Sequence, residues 1–170
     1  MNAIGIDGCR VGWFYVFFHT PSNYEIGVLS HIAQVAPWLS EDTLILIDIP
    51  IGLTDSPNGR QCDRQARKVL SPLRHSSVFS APCRKAVQQN SYQEGSRVNF
   101  HVTERKLSKQ SWAISPKIKE VDDFLRAQQP GSRAKIREIH PEVAFWSLND
   151  GKPMAFNKKT VEGFEERRNL

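Results

Sequence analysis

The sequence predicts an α/β domain built on a mixed sheet, and three observations carry that prediction. The first 53 residues contain mainly strand-like segments separated by short turn signals. Residues 44–49 are apolar on both faces except for Asp48, which is typical of a central and usually parallel strand. Helical periodicity dominates from about residue 60 to 128. Antiparallel hairpins, a helix and then a buried strand indicate an α/β sheet rather than a sandwich.

The amino-terminal strands are predicted to form a three-stranded antiparallel meander. They are residues 3–6, 11–18 and 24–29. The first run ends at Asp7-Gly8, a turn signal, and the third follows a Thr-Pro-Ser-Asn turn. A helix is expected next, from apolar residues recurring between Ile32 and Leu39, with Pro37 bending it or ending it early.

Capping signals set the expected helix boundaries in the remainder of the chain. Asp63 is expected to cap a helix, and Ser115 followed by Pro116 is a good start signal for another. Thr160 is expected to cap a final helix that runs to the chain end. The element around residues 91–106 stays open between helix and strand, because apolar residues alternate within it.

The last predicted strand is residues 134–139, and Pro141 follows it at the start of a further helix. There is no internal repeat, no low-complexity tract and no long linker. The chain is therefore expected to form one domain, residues 1–170, with a mainly helical insertion at about 58–130.

The charge distribution separates the chain into regions of different character. Residues 1–59 hold one Lys or Arg and six Asp or Glu, whereas residues 60–126 hold fourteen and six. Residues 127–170 hold eight and six. A basic segment beside buried acids suits a polyanionic ligand with a metal at its centre, while the alternative is a solvated helical face.

Composition excludes several classes of protein. With 39% hydrophobic and 24% charged residues, the chain is neither collagen-like, coiled-coil nor wholly disordered. Its apolar runs are strand-sized, so no membrane span is expected. Asp7 and Arg10 are charged where a signal peptide would be apolar, so secretion is not expected. Three cysteines without C-x-x-C spacing indicate reduced thiols in a cytoplasmic protein and make structural zinc improbable.

Asp7 and Asp48 are the sharpest candidates for chemistry. Each is a single carboxylate at the carboxyl end of an apolar strand, where open α/β sheets place their ligands. Two neighbouring acids repel each other unless a cation lies between them, and Mg²⁺ or Mn²⁺ prefers carboxylate oxygens. The alternative is that each acid caps the turn that follows it.

A second group of candidates is Glu138, His140 and Glu142. Strand alternation places these three side chains on one face, where an acid and an imidazole can ligate a metal or transfer a proton. The alternative is that His140 caps the helix that Pro141 begins, with Glu142 complementing the helix dipole. Residue type alone leaves the two interpretations open.

Motifs spread over nearly the whole chain resemble a known family. They are Gly5-Ile6-Asp7-Gly8-Cys9-Arg10-x-Gly12-Trp13, Ile47-Asp48-Ile49-Pro50-Ile51-Gly52-Leu53, Arg60-x-Cys62-Asp63-x-x-Ala66-Arg67, Ser77-Val78-Phe79-Ser80-Ala81-Pro82, Gln110-x-Trp112-x-Ile114-x-Pro116-Lys117-Ile118-x-Glu120-Val121-Asp122, His140-Pro141-Glu142-x-x-Phe145 and Lys158-Lys159-Thr160-x-x-Gly163-x-x-Glu166-Arg167. The chain is similar to the bacterial domain-of-unknown-function family 429, described as predicted nucleases with a ribonuclease-H-like fold.

This resemblance implies a ribonuclease-H-like mixed sheet with acids on its first and fourth strands, where Asp7 and Asp48 stand. It implies two divalent ions held between the carboxylates and the scissile phosphate. It also implies further acids from a C-terminal helix, and relatives continue beyond the position of Leu170 through a segment that contains acids. In this chain Glu142 or Glu138 is expected to complete the site.

The sequence-based hypothesis is a metal-dependent nuclease that hydrolyses phosphodiesters of nucleic acid. Asp7, Asp48 and Glu142 are expected to bind Mg²⁺ or Mn²⁺, and His140 to assist proton transfer. The residues expected to hold phosphates are Arg10, Arg67, Lys117 and Lys159. The alternatives are a non-catalytic nucleic-acid-binding or scaffold protein on the same fold, and a small-molecule phosphotransferase.

Overall fold

A five-stranded mixed sheet organises the part of the chain that the computed structural model describes, residues 2–40 and 42–170. Its spatial order is β3-β2-β1-β4-β5. The strands are β1 (Asn2–Cys9), β2 (Gly12–Thr20), β3 (Asn23–Leu29), β4 (Thr43–Ile47) and β5 (Ile136–Glu138).

The strand pairing confirms the predicted meander and the predicted parallel central strand. β1 pairs antiparallel with β2, and β2 pairs antiparallel with β3. β4 lies parallel to both β1 and β5. The helices that follow β4 in sequence therefore form a crossover that returns the chain to the same sheet as β5.

Gly12 fixes the tight passage from β1 to β2. Its φ is +148°, and a Cβ at this position would lie 2.0 Å from the carbonyl oxygen of Leu29. Only glycine accepts both that backbone conformation and that close approach. The start of β2 is thereby held against the end of β3.

The crossover and the carboxyl-terminal segment contain the helices. They are a 3-10 helix (Ile32–Ser40) before β4, then α1 (Gln61–Val69), a short 3-10 turn (His75–Ser77), α2 (Arg84–Val87), α3 (Tyr92–Thr103), α4 (Lys109–Ala113), α5 (Ser115–Ala127), α6 (Pro130–Arg133), α7 (Pro141–Leu148) and α8 (Val161–Arg168). The ambiguous element is helical over α3 and begins at the N-cap residue Ser91, whose hydroxyl oxygen accepts from the backbone N–H of Glu94 and whose proton is donated to the Glu94 carboxylate.

Two predicted caps are wrong, because other partners take the side chains concerned. Asp63 lies inside α1 and forms an ion pair with Arg60, which holds the N-cap position. Ser115 lies inside α5, and its hydroxyl donates to the carbonyl oxygen of Ser111. The predicted cap of α8 is confirmed, since the Thr160 hydroxyl accepts from the backbone N–H of Gly163 at 3.1 Å.

The inner face of the sheet carries the core. Apolar side chains at alternate positions of β1 and β4 pack with Trp13, the 3-10 helix and α5. Glu120 of α5 fixes this packing, because its carboxylate accepts from the Trp13 indole at 3.1 Å and from the backbone N–H of Ile32 at 2.6 Å. The core therefore anchors α5 to the first hairpin.

The opposite, outer face of the sheet stays open on the meander side. Its exposed apolar side chains are Phe14 (41% exposed), Phe18 (42%), Tyr24 (57%), Ile26 (63%) and Val28 (50%). They occupy the outward positions of β2 and β3. Among the described residues, no helix is long and apolar enough to cross a membrane.

Candidate active site

Asp7 and Asp48 meet at the carboxyl end of the two central parallel strands. Ile6 of β1 lies opposite Ile47 of β4, and the backbone N–H of Asp48 donates to the Ile6 carbonyl oxygen at 2.9 Å. The two acids directly follow this paired position. Asp48 directly follows the end of β4, as expected, whereas the predicted turn at Asp7-Gly8 is wrong, because β1 continues to Cys9 and pairs there with β2.

Of the two acids, Asp48 is partly buried and Asp7 is exposed. Neither accepts a hydrogen bond or forms an ion pair within residues 2–40 and 42–170. The pKa of Asp48 is raised above 3.8, first by burial and then by the negative charge of Asp7. The charges of His140 and Lys158 act against this shift. An acid pair of this kind attracts a proton or a cation.

His140 lies at the same edge, because it follows β5 and directly precedes α7. Its Nε2 lies 3.3 Å from the Ser77 carbonyl oxygen. That oxygen only accepts, so Nε2 carries the proton in this contact. Nδ1 is buried and has no partner among the described residues. His140 occupies the N-cap position of α7, as the capping alternative expected, but its side chain makes no capping hydrogen bond.

A cavity of about 420 Å³ lies beside Asp48 and His140, and Asp7 does not line it. Asp48 and His140 lie on its wall, together with Arg74, Lys158 and Arg167. Arg74 is held by backbone carbonyls, since Nε donates to Met154 at 2.8 Å and Nη2 donates to Ala155. The cavity combines an acid, an imidazole and cationic groups, a combination that suits a phosphate ester.

Glu142 lines the same cavity, but its carboxylate is taken by Arg167. The Arg167 Nη2 donates to both carboxylate oxygens, at 2.8 and 3.1 Å, and both side chains are nearly buried. The predicted role of Glu142 as a metal ligand requires Arg167 to release it.

Glu138, the other candidate for a third acid, is held in the same manner. Arg60 Nη2 lies 2.6 Å from both of its carboxylate oxygens, and the backbone N–H of Ile51 donates at 2.9 Å. Burial lowers the pKa of Arg60, but the hydrogen bond and charge of Glu138 outweigh it, so the net shift is upward. Both candidates are thus neutralised by a guanidinium.

The carboxylates of Asp7 and Asp48 fit a metal ion that takes few of its ligands from the protein. Among the described residues, no three His, Cys, Asp or Glu side chains lie close enough together to hold a metal. Mg²⁺ is usually bound by one or two carboxylates, with waters and phosphate oxygens filling the other positions. The uncompensated pair of Asp7 and Asp48 fits that donor set.

The four predicted phosphate-binding residues do not converge. Arg10 is exposed in the turn between β1 and β2, whereas Lys159 is exposed just before α8. Lys117 donates to the Gly12 carbonyl oxygen at 2.6 Å and lies 4.6 Å above the Trp13 ring, so it fastens α5 to the first hairpin.

Arg67, the fourth predicted residue, belongs to a different cavity. Its Nε donates to the Val78 carbonyl oxygen at 2.9 Å, and its Nη2 donates to the Ser80 hydroxyl at 3.0 Å. The basic side chains beside Asp48 are instead Lys158 and Arg74. Nothing in the sequence marks Lys158 rather than its neighbour Lys159 as a site residue, and Arg74 belongs to no recognisable motif.

Fold and site together define the class: an α/β protein with a mixed five-stranded sheet and an uncompensated carboxylate pair at the carboxyl end of its central strands. The family model of the proteins of unknown function DUF429 matches residues 5–170, and the chain belongs to that family. No curated protein and no solved structure matches the chain.

Proposed function

We propose that the protein is a divalent-metal-dependent phosphodiesterase of ribonuclease-H-like architecture that acts on nucleic acid. The observation that carries the proposal is the pair of uncompensated acids, Asp7 and Asp48, on adjacent parallel strands. Retaining Asp48 in this position without a cation costs stability, because its partial burial and the negative charge of the exposed Asp7 both oppose its ionisation. A function that requires a bound cation at this position explains why the protein retains acids that lower its stability.

Asp7 and Asp48 are the residues that would hold Mg²⁺ or Mn²⁺. When bound, such an ion supplies Lewis acidity toward a phosphate oxygen and a water. The two carboxylates would hold the ion at the carboxyl end of the central strands, and a cation there would lower the raised pKa of Asp48.

The cavity beside Asp48 offers the remaining groups for phosphodiester hydrolysis. Lys158 lies on its wall and has no ion pair among the described residues, so its charge is available for a phosphate oxygen. Hydrolysis forms one P–O bond to water and breaks one to the leaving alcohol. His140 lies on the cavity wall and is the residue proposed to take the proton of the water and to return one to the leaving oxygen, a role that requires its buried Nδ1 to become accessible.

The test is a calorimetric titration of Mn²⁺ into the wild type, Asp7→Asn, Asp48→Asn and the surface control Asp123→Asn. Asp123 is exposed and pairs with Lys119, away from the sheet edge. Binding is expected in the wild type and the control, and is expected to vanish in both site variants. Unchanged binding in both site variants would overturn the metal assignment.

Cleavage is then measured with labelled single-stranded and duplex DNA, RNA and an RNA–DNA hybrid. Mn²⁺-dependent cleavage that disappears in Asp48→Asn is expected. A wild type that binds the metal but cleaves none of these substrates would contradict the catalytic part of the proposal.

A second candidate is a non-catalytic nucleic-acid-binding protein on the same fold. It is favoured by the engagement of Glu138 and Glu142 with arginines, which leaves two acids at the sheet edge. Metal-independent binding of nucleic acid that weakens steeply with salt, without cleavage, is the result expected of this candidate.

A further inference from the structure

A second cavity lies outside the Asp48 site and has a different chemical character. It has a volume of about 330 Å³, within the range of small-molecule pockets. Its wall is formed by the start of α1, the segment 79–81 and the connection from α3 to α4. Phe79 lines both this cavity and the Asp48 cavity, so the two lie on either side of one segment.

The ionisable side chains on this wall are mostly basic. They are Arg60, Arg64, Arg67, Arg105, Lys106 and Asp63. Arg60 is almost completely buried and is neutralised by Asp63 and Glu138. It therefore forms a fixed part of the wall and leaves the other four basic side chains to set the charge of the cavity.

These four positive charges have no acidic partner in the described part of the chain. Arg64 donates to the Asn58 carbonyl oxygen, and Arg67 donates to the Val78 carbonyl oxygen and the Ser80 hydroxyl. Carbonyl and hydroxyl oxygens orient a guanidinium without cancelling its charge. Arg105 and Lys106 form no ion pair among residues 2–40 and 42–170.

Hydroxyl groups complete the wall. Ser80 accepts from Arg67, so its own proton stays available for an acceptor in the cavity. Ser108 and Ser111 lie on the same wall, with their oxygens 2.8 Å apart. Guanidinium forks and hydroxyl protons are donors that match the several acceptor oxygens of a phosphate.

We propose that this cavity binds the phosphate group of a nucleotide or of a nucleic-acid strand. Concentrated positive charge, hydroxyl donors and a pocket of small-molecule size occur together here. Acidic ligands with a single carboxylate would leave most of this charge uncompensated. The binding needs neither Asp7 nor Asp48, so it is independent of the metal-dependent function proposed above.

The test is a titration of adenosine 5′-monophosphate and of a ten-residue oligothymidylate, each in buffer containing EDTA. The variants are Arg64→Gln and Arg105→Gln, and the matched control is Arg126→Gln. Arg126 is exposed on α5 and does not line the cavity. Removing one charge-assisted contact is expected to weaken binding roughly tenfold.

Saturable binding of either probe that weakens in both cavity variants and is retained in Arg126→Gln supports the proposal. Binding of the mononucleotide identifies a phosphate monoester as the ligand, and binding of the oligothymidylate alone identifies the strand backbone. Absence of binding in the wild type, or equal weakening in the control, overturns it. Equal unfolding midpoints of all variants show that the fold is intact, and Arg105→Glu, with reversed charge, is expected to abolish binding.

Because EDTA removes divalent ions, this result is separable from the proposed nuclease activity. Phosphate binding without Mn²⁺ binding would leave the cavity assignment standing while the metal assignment fails. Mn²⁺ binding without phosphate binding would overturn the cavity assignment and leave the metal assignment standing.

Discussion

Four carboxylates lie near the carboxyl end of the central strands, and they form two contrasting pairs. Glu138 and Glu142 are each held by an almost buried arginine, Arg60 and Arg167. Asp7 and Asp48 have no such partner in the described residues, and their charges oppose each other. Glu138 and Glu142 therefore stabilise the fold through ion pairs, whereas Asp7 and Asp48 make no such contribution.

The two kinds of acid have opposite consequences for stability. A buried carboxylate that loses its arginine is left as an uncompensated charge, which is strongly destabilising. Asp48, partly buried and without such a partner in the described residues, already carries part of that cost, so replacing it by a neutral amide is expected to stabilise the fold. Substitutions in the two pairs should therefore change the free energy of unfolding in opposite directions.

The largest effect is expected from Arg167→Leu. This change leaves the Glu142 carboxylate buried without its partner and removes the contact to the Gly163 carbonyl oxygen. The free energy of unfolding is expected to fall by about 3–5 kcal/mol, measured by denaturant titration. The double variant Arg167→Leu with Glu142→Leu should regain much of that loss. An Arg167→Leu variant as stable as the wild type would contradict the stabilising role given to this ion pair.

A smaller effect of opposite sign is expected from Asp48→Asn. Because the amide cannot carry the unfavourable charge, the free energy of unfolding at pH 7 is expected to rise by on the order of 1 kcal/mol. The change should also abolish Mn²⁺ binding, so stability and function would respond in opposite directions. Asp123→Asn is the control, with little expected change. A loss of stability in Asp48→Asn would contradict the assignment.

The pH dependence of this gain follows from the raised pKa of Asp48. The folded state binds the Asp48 proton more tightly than the unfolded chain, whose pKa is close to 3.8. The wild type therefore loses stability as the pH rises through the folded-state pKa. The gain from Asp48→Asn should be complete well above that pKa and should disappear as the pH falls to about 3.8. Thermal unfolding of both proteins between pH 4 and 7 measures this; a gain independent of pH would contradict it.

The contribution of Asp7 is measured by following the Asp48 carboxyl resonance by NMR during a pH titration. In Asp7→Asn the pKa of Asp48 is expected to fall, because the second-largest cause of its elevation is removed. Glu25→Gln, on β3 beside His19, provides a distant control. Identical titration curves in the wild type and Asp7→Asn would show that the two acids do not interact.

The smallest effect distinguishes two adjacent lysines. Both lysines are exposed, but Lys158 lowers the pKa of Asp48 and lines its cavity, whereas Lys159 does neither. Lys158→Gln is expected to raise the pKa of Asp48 slightly, and Lys159→Gln to leave it unchanged. The same NMR titration compares the two, and an equal response would place both lysines at the same distance from the acid.

Asp7 and Asp48 were predictable because their signal is local. A single acid after an apolar run identified the end of β4 at Asp48, although β1 runs past Asp7 to Cys9, and the apolar residues of β4 agree with its parallel pairing to β1. The meander was predictable for the same reason, since strand period and turn residues lie within a few positions of each other.

The parts that sequence patterns missed depend on partners distant in sequence. Glu142 meets Arg167 25 residues later, and Arg60 meets Glu138 across 78 residues. Asp63 and Ser115 were expected to cap helices. Instead, Asp63 forms an ion pair with Arg60, and the Ser115 hydroxyl donates to a backbone carbonyl oxygen. Periodicity carries no information on which of several arginines reaches which acid.

The open outer face of the meander has a thermodynamic consequence. The heat capacity of unfolding arises mainly from apolar surface that water reaches only in the unfolded chain. Phe14, Phe18, Tyr24, Ile26 and Val28 already present about half of their surface to water in the folded protein. These side chains therefore add only about half of the heat capacity increment that full burial would give, and the stability of this chain should vary less steeply with temperature than its length suggests.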